Sequence, residues 1–277
     1  MFFPNIFSTH PLATLVSFPS MTLLPRRAAS APAAFVPFIM AGDPDAATTL
    51  RRLDTLVEAG ASLIELGMPF SDPMADGAVI QAAGLRALNG GMTLRGVLEI
   101  VRSFHGKHPS IPLILMGYYN PIFRYGDEAF AKDAAAAGVS GVLIVDVPME
   151  EDAPLAAACK NHGLAFVRLI APTTPPDRIR AIAGRANDFL YYVAVAGITG
   201  TQQASPEATH QRLTHIRAIT KNPIAVGFGV RTNTDAHGVA ATGADGVVVG
   251  SALVNAGHQG DAPFRELALS LGSTLKQ

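Results

Sequence analysis

Three carboxylates lie within one short stretch of the chain, and two of them could carry out acid–base chemistry together. Glu65 stands inside an apolar segment, Leu63–Leu66, and Asp76 follows eleven residues later in a loop interrupted by glycines and prolines. A glutamate in a buried strand is costly unless it is paired or does chemistry. Paired carboxylates in different environments can divide the roles of acid and base. The alternative is structural, with Glu65 satisfied by local N–H groups and with Asp72 and Asp76 capping turns.

A second group of residues, in the C-terminal half, has the composition of a phosphate site. Gly229 and Gly250 follow the last two apolar segments of the chain, and Ser251 begins a short helical stretch. Glycines let backbone N–H groups approach an anion closely, and a helix N-terminus adds a favourable partial charge. Gly200, in an earlier loop, could complete the same cup. The alternative is that these glycines serve only tight turns between strands and helices.

Other catalytic residue types are missing from the predicted strand ends. Every lysine falls on a predicted helix or an outer loop, which argues against a Schiff-base aldolase or a pyridoxal enzyme. The eight histidines are scattered without the spacing of metal ligands, so no metal site is predicted. Cys159 lies in a predicted helix, where we expect it to pack. What remains is acid–base catalysis by carboxylates on a phosphorylated substrate that is aromatic or sugar-like.

A recurring unit of helix, glycine and apolar strand predicts the elements that position these residues. The strand segments are apolar and rich in β-branched residues, as in a parallel sheet that is buried on both faces. We predict eight strands, at Phe35–Met40, Leu63–Leu66, Leu113–Gly117, Val142–Val145, Ala165–Ile170, Phe189–Val193, Ile224–Phe228 and Val247–Gly250. Helices are predicted at Thr48–Ala59, Thr93–Phe104, Asp127–Ala137, Glu150–His162, Pro175–Ala183, Pro206–Thr220, Asn233–Thr242 and Phe264–Leu275.

These units predict an α/β protein with a single (β/α)8 TIM barrel over residues 33–277. A doubly wound open sheet is the alternative, but no glycine-rich fingerprint follows the first strand. The long gap after strand two predicts an extra helical or loop insertion, and the small, polar segment Ala196–Ala204 predicts a mobile loop after strand six. Active sites of such barrels gather at the C-terminal ends of the strands, where the candidate residues fall.

Composition narrows the class of protein further. The 277-residue chain is 49% hydrophobic and 16% charged, with a net charge of −1. These values predict a folded protein with a sizeable core and argue against nucleic-acid binding. A single cysteine fits a reducing compartment, and no apolar run is long enough to predict a membrane span, so we expect a cytoplasmic protein.

Prolines interrupt residues 1–32, which we expect to form a flexible N-terminal extension that packs little.

Six motifs of the chain are specific enough to be compared with known families. The most specific is the segment Glu65–Gly77, which runs Glu-Leu-Gly-Met-Pro-Phe-Ser-Asp-Pro-Met-Ala-Asp-Gly. Shorter motifs lie at Phe35–Pro44, Asp146–Pro148, Ala196–Gly200, Gly227–Gly229 and Gly250–Ser251. Together they resemble the tryptophan synthase alpha chain family, and the likeness extends from Ala34 to about Val254, which is nearly the whole predicted barrel.

The resemblance implies reversible retro-aldol cleavage of indole-3-glycerol phosphate to indole and glyceraldehyde 3-phosphate, in the last steps of L-tryptophan biosynthesis. Glu65 would be the general acid and base at indole C3 and the C3′ hydroxyl, and Asp76 would accept the indole N–H bond. Tyr191 corresponds to a tyrosine of the family's site. The phosphate cup would comprise Gly200, Gly229, Gly250 and Ser251. The apolar walls of the indole pocket would comprise Phe38, Ile80, Tyr118 and Phe228.

The resemblance also implies a partner, the tryptophan synthase beta chain, in an α2β2 heterotetramer. Asp72 and its loop would face this partner. Pyridoxal phosphate is expected in the beta chain and no cofactor in this one. Ala78 and Ala194 depart from the family pattern, in which a proline and a serine are common. Prolines also replace the family's usual N-terminal helix, which predicts a less well sealed lower end of the barrel.

Two other functions stay open at this point. Another phosphate-binding barrel, such as a sugar-phosphate isomerase or epimerase, would share the cup at Gly250 and Ser251 but would give no reason for the segment Glu65–Gly77. A non-catalytic activating subunit that only docks on a beta chain would not need both Glu65 and Asp76.

Overall fold

Eight parallel strands form a closed barrel at the centre of the molecule. The computed structural model describes residues 22–28, 31–194, 205–227 and 229–276. Each strand pairs with the next in chain order, and the eighth pairs back to the first. The strands are β1 Ala34–Met40, β2 Ile64–Gly67, β3 Leu113–Gly117, β4 Gly141–Ile144, β5 Ala165–Ile170, β6 Leu190–Val193, β7 Ile224–Gly227 and β8 Gly246–Val249. The predicted TIM barrel is confirmed, and each predicted strand lies within one residue of the observed one at either end.

Helices surround this barrel on the outside. In the part of the chain that the structure describes they are α1 Ala46–Glu58, α2 Ala78–Asn89, α3 Leu94–Lys107, α4 Tyr119–Tyr125, α5 Asp127–Ala137, α6 Ala153–Asn161, α7 Pro176–Arg185, α8 Pro206–Ile219, α9 Asn233–Ala241, α10 Ser251–Gln259 and α11 Asp261–Leu275. Helix α2 is the insertion predicted after strand two, whereas α4 was not predicted. No helix within these ranges is long and apolar enough to cross a membrane.

Alternate residues of each strand point into the barrel, because side chains along a strand alternate between its two faces. A buried layer inside the barrel contains one such residue from each strand, or from the position just before it: Val36, Leu63, Ile114, Leu143, Val167, Phe189, Ala225 and Val248. The residues two positions further along these strands face the same interior, nearer the C-terminal end. Glu65, two residues after Leu63, belongs to this upper layer. The lower part of the barrel interior is therefore apolar, whereas the upper part contains the carboxyl group of Glu65.

The lower end of the barrel is closed by part of the predicted N-terminal extension. Leu24 is fully buried and Leu23 nearly so, in the same cluster as the inner strand residues. The Leu23 backbone N–H donates to the carboxylate of Asp188 at 2.9 Å, and that of Arg27 donates to Asp245 at 2.8 Å. The expectation that residues 1–32 pack little is therefore wrong for residues 22–28. It stays a prediction for residues 1–21, which lie outside the described residues.

Candidate active site

A cavity of about 580 Å³ opens at the C-terminal end of the barrel. This is the end at which barrel enzymes carry out their chemistry. Its walls come from the upper layer of inward-facing strand residues and from the loops that follow β2, β7 and β8. The residues that line it include Phe38, Glu65, Asp76, Ile80, Met116, Val145, Leu169, Tyr191, Val193, Gly229, Arg231, Gly250 and Ser251. The cavity is apolar with a few polar groups, as is usual for small-molecule sites.

Glu65 lies on β2 at the floor of this cavity. It pairs in register with Phe38 of β1 and with Ile114 of β3, so apolar neighbours flank it on both sides. Its side chain is fully buried, and neither carboxyl oxygen has a hydrogen-bond partner among the described residues. Burial raises the pKa of Glu65 from its ordinary value of 4.5 to about 8, because the charged form is poorly solvated there. At neutral pH the group is mainly protonated and can donate a proton.

Asp76 reaches the same cavity from the loop between β2 and α2. Burial raises its pKa from 3.8 to about 6, and a hydrogen bond with the Tyr118 hydroxyl works in the opposite direction. At neutral pH this carboxyl is therefore mainly ionised. The two acids of the cavity differ in protonation state because one is wholly buried without a partner and the other is partly exposed and hydrogen-bonded.

Tyr118 holds the loop that carries Asp76, and it does not line the main cavity. Its hydroxyl accepts a hydrogen bond from the backbone N–H of Ala75 at 2.9 Å, and its ring centroid lies 5.2 Å from that of Phe70. The structure thus places Tyr118 behind the loop that carries Asp76, at the edge of a separate void of about 10 Å³. Its hydrogen bond to Ala75 positions this loop, and its expected role as a wall of the indole pocket stays a prediction.

Tyr191 lines the cavity from β6, on the side opposite β2. Its hydroxyl packs over Gly227 of the neighbouring strand, where an added methyl group would come within 1.9 Å of the phenol oxygen. Burial, with the charges of Glu65 and Asp76, raises the pKa of Tyr191 well above its ordinary value. The phenol therefore stays protonated and can serve as a hydrogen-bond donor in the cavity.

The third polar region of the cavity is formed by the loops after β7 and β8. Gly229 has a φ of 69°, a conformation that side chains other than glycine rarely adopt. Gly250 is the N-cap of α10, Ser251 is its first residue, and no acidic side chain lies in the first turn of this helix. Backbone N–H groups and a helix N-terminus that lacks a competing acid suit an anion such as phosphate.

Most of the predicted site residues meet in this cavity. Phe38 and Ile80 line it as expected. Asp72 does not; its side chain is exposed on the loop that precedes Asp76. Two predicted residues, Gly200 and Phe228, lie outside the described residues, as does the predicted mobile loop Ala196–Ala204, and all three stay predictions.

Several lining residues were missed by the sequence prediction. They share one feature, which is that each lies two positions beyond an inward-facing residue of the same strand: Met116, Val145, Leu169 and Val193. The alternation of strand side chains could have identified them. Arg231 was missed as well, because it belongs to a loop that follows the glycine motif. Among the described residues, no group of three potential ligands could hold a metal ion.

Comparison with known proteins identifies the family of the chain. The family model described as "Tryptophan synthase alpha chain" matches residues 25–268. A tryptophan synthase alpha chain of Erythrobacter litoralis is 49% identical over 259 residues, which are 92% of this chain and 98% of that one.

Solved structures of related proteins have the same fold. A structure of Mycobacterium tuberculosis tryptophan synthase is 36% identical with a TM-score of 0.81, and the match covers 89% of this chain and 93% of that one. A tryptophan synthase subunit alpha of Legionella pneumophila is 37% identical with a TM-score of 0.80, covering 88% and 92%. With its barrel, the two acids at its cavity and its glycine-rich loops, the chain belongs to the tryptophan synthase alpha chain family and has a lyase role in tryptophan synthesis.

Proposed function

We propose that this chain cleaves the carbon–carbon bond of indole-3-glycerol phosphate, giving indole and glyceraldehyde 3-phosphate. The observation that carries the proposal is the pair Glu65 and Asp76, two carboxyls at one cavity with pKa values raised to about 8 and about 6. At neutral pH one of them donates a proton while the other accepts a hydrogen bond. Retro-aldol cleavage of this substrate needs both, since a ring carbon must be protonated while charge develops on the ring nitrogen.

Glu65 acts first as the general acid and then as the general base in this mechanism. It transfers its proton to C3 of the indole ring, which becomes a cationic indolenine, and Glu65 is left as a carboxylate. This carboxylate removes the proton of the C3′ hydroxyl. The C3–C3′ bond then breaks, its electron pair returns to the ring to give indole, and C3′ becomes the aldehyde carbon. Glu65 regains the proton that it gave, so the step is balanced.

Asp76 stabilises the charge that this proton transfer creates. Its carboxylate accepts a hydrogen bond from the indole N–H, and the interaction strengthens as positive charge grows on the ring. Phe38, Ile80 and the other apolar wall residues would hold the indole ring between the two acids. Tyr191 would donate a hydrogen bond to the glycerol portion of the substrate.

The phosphate would lie at the opposite side of the cavity, against Gly229, Gly250 and Ser251. We retain Gly200 as a fourth member of this cup and Phe228 as part of the indole pocket, on the strength of the family pattern. Backbone N–H groups would supply most of the contacts, so that this part of the site depends on backbone geometry more than on side chains.

An assay of indole release tests the proposal directly. Purified full-length chain should release indole from indole-3-glycerol phosphate without an added metal or cofactor. An isomerase or epimerase would leave the indole–carbon bond intact, and an activating subunit without catalytic activity would release no indole by itself. Absence of indole both with and without a beta chain would contradict the proposal.

Membership in this family implies a beta chain as partner, and we propose an α2β2 complex in which the partner holds pyridoxal phosphate. We also propose a cytoplasmic location, as expected for a chain with one cysteine. Exposed Asp72 lies on the loop that leads to Asp76, so a partner that contacts this loop could close it over the substrate. A beta chain should therefore increase the rate of cleavage.

The variant Asp72→Asn should reduce this activation more than it reduces cleavage by the chain alone. Asp177→Asn is the matched control, because Asp177 is exposed on α7, away from the cavity. Equal turnover with and without partner, once binding of the beta chain has been verified, would count against the coupling.

A further inference from the structure

One positively charged side chain lines the active-site cavity. Of the described residues that line it, Arg231 alone carries a permanent positive charge, whereas Glu65 and Asp76 are its acids. Arg231 lies two residues after Gly229 and immediately before Thr232, the N-cap of α9. It is therefore next to the loops that form the proposed phosphate cup.

The guanidinium of Arg231 is not held in place by hydrogen bonds or salt bridges to the described residues. Its backbone N–H, like that of Thr232, donates to Asp235 at 2.9 Å, and these bonds belong to the cap of α9. No hydrogen bond or salt bridge engages the guanidinium itself within the described part of the chain, and the residue is exposed. Its charge acts on nearby Asp235, whose pKa it helps to lower alongside the cap hydrogen bonds. A cation before a helix N-terminus is otherwise electrostatically unfavourable.

We propose that Arg231 is a specificity-determining residue, whose guanidinium binds the substrate phosphate from the mouth of the cavity. This inference rests on the proposed function, because it assigns a second kind of contact to the same phosphate. The backbone cup offers dipoles but no net charge, and the carboxyl groups of the cavity, Glu65 and Asp76, offer no positive charge. A phosphomonoester carries nearly two negative charges at neutral pH. The guanidinium would supply the opposite charge in the forked geometry that suits phosphate oxygens.

The proposal predicts discrimination between phosphorylated and unphosphorylated substrates. Arg231→Gln should raise KM for indole-3-glycerol phosphate by about tenfold or more, the scale of one lost charge-assisted hydrogen bond, and should change kcat by less than about twofold. The same variant should cleave indoleglycerol, which lacks the phosphate, as wild type does. Arg231→Lys keeps the positive charge but cannot form two parallel hydrogen bonds to the phosphate, so we expect its KM to lie between those of wild type and Arg231→Gln.

Arg180→Gln is the control for loss of a surface charge. Arg180 is exposed on α7, pairs with Asp177 and does not line the cavity. This variant should have the wild-type KM for both substrates. If Arg231→Gln, with an unchanged thermal unfolding curve, has the same KM for the phosphorylated substrate as wild type, the inference is overturned.

A binding experiment separates this inference from the proposed function. Calorimetric titration of inorganic phosphate into the full-length chain should give weaker binding to Arg231→Gln than to wild type, and the difference should shrink at high salt. Equal phosphate affinity in the two proteins would overturn the role of Arg231, whatever reaction the enzyme catalyses. If affinity differs but wild type releases no indole, the proposed reaction fails while the anion site at Arg231 stands.

Discussion

Burial without a partner is the physical reason why Glu65 can act as an acid at neutral pH. The same burial makes this residue a source of instability, since its charged form is poorly tolerated inside the barrel. In the proposed mechanism, catalysis and stability therefore make opposite demands on this one side chain, and substitution should separate them.

Replacing Glu65 by glutamine keeps its size but removes its ability to transfer protons. We expect kcat of Glu65→Gln to fall by at least ~10²-fold, the usual scale for general acid–base catalysis. Binding of inorganic phosphate should be retained, because the phosphate lies at the other side of the cavity. Glu99→Gln, an exposed glutamate on α3, is the matched control and should keep full activity. A folded Glu65→Gln protein with a near wild-type rate would falsify the mechanism.

The stability of this variant should also depend on pH in a characteristic way. Between about pH 4.5 and 8, an unfolded chain ionises Glu65 while the folded protein keeps it protonated, so the wild-type free energy of unfolding falls as the pH rises. Glu65→Gln removes this contribution. Denaturant titrations across this range should give a shallower decline for Glu65→Gln than for wild type, and parallel declines would contradict the raised pKa.

The two raised pKa values predict a bell-shaped pH dependence of kcat/KM. Activity should rise as Asp76 loses its proton near pH 6 and fall as Glu65 loses its proton near pH 8. In Asp76→Asn the rate should be much lower, and the limb near pH 6 should be absent. Rate measurements in buffers of constant ionic strength check this, and a profile that is flat between pH 5 and 9 would exclude the assignment.

At the scale of elements, the position of Asp76 depends on what holds its loop and the helix that follows. Tyr118, at the end of β3, fixes the loop through Ala75. Arg86 on α2 makes a bidentate pair with buried Asp43, with distances of 2.7 and 2.8 Å, and so ties the helix to the loop after β1. The segment that carries Asp76 is thus anchored on both sides by neighbouring units of the barrel.

Removing the hydroxyl of Tyr118 should affect Asp76 in a measurable direction. The hydrogen bond from Tyr118 lowers the pKa of Asp76, so its loss in Tyr118→Phe should move the acidic limb of the pH profile to higher pH. Tyr119→Phe is the control, because the Tyr119 hydroxyl donates to Asp127 and does not contact the loop. An acidic limb that stays in place in Tyr118→Phe would contradict the positioning role.

The sequence predicts regular elements well where a local pattern determines them. All eight strands could be predicted from apolar, β-branched segments, because a strand that is buried on both faces has a continuous apolar sequence. Helix α4 follows β3 after a single residue, Tyr118, and is only seven residues long, so no amphipathic repeat could reveal it. The sequence could not predict that Tyr118 positions the loop of Asp76 either, because its hydrogen bond joins it to Ala75, 43 residues away in the chain.

At the scale of the whole molecule, the two ends of the barrel have different tasks. The upper end holds the cavity and its acids, whereas the lower end is sealed by Leu23 and Leu24. The sequence did not predict this seal, because two leucines among prolines show no helical or strand periodicity. Only the assembled barrel creates the apolar opening that they fill.

Removing this seal should destabilise the protein without altering the active site. Leu24→Ala should reduce the free energy of unfolding by about 2–5 kcal/mol, the range for a fully buried leucine, while KM stays unchanged. Leu85→Ala is the matched control, since this leucine is 58% exposed and should matter little to stability.

Two shortened chains give an independent check on the seal. A chain that begins at residue 32 should melt at a lower temperature than one that begins at residue 21. Equal melting temperatures for the two, or for Leu24→Ala and wild type, would show that residues 22–28 contribute nothing.

The seal also has a consequence for the order in which the chain can complete its fold during synthesis. Leu23 hydrogen-bonds to Asp188, 165 residues later, and Arg27 to Asp245, 218 residues later. The strand that follows, β1, pairs with β8, the last strand to be made. The first described residues to leave the ribosome therefore keep their two leucines and one edge of β1 exposed until almost the entire chain has emerged. During this interval these apolar groups and the unpaired edge of β1 are open to aggregation.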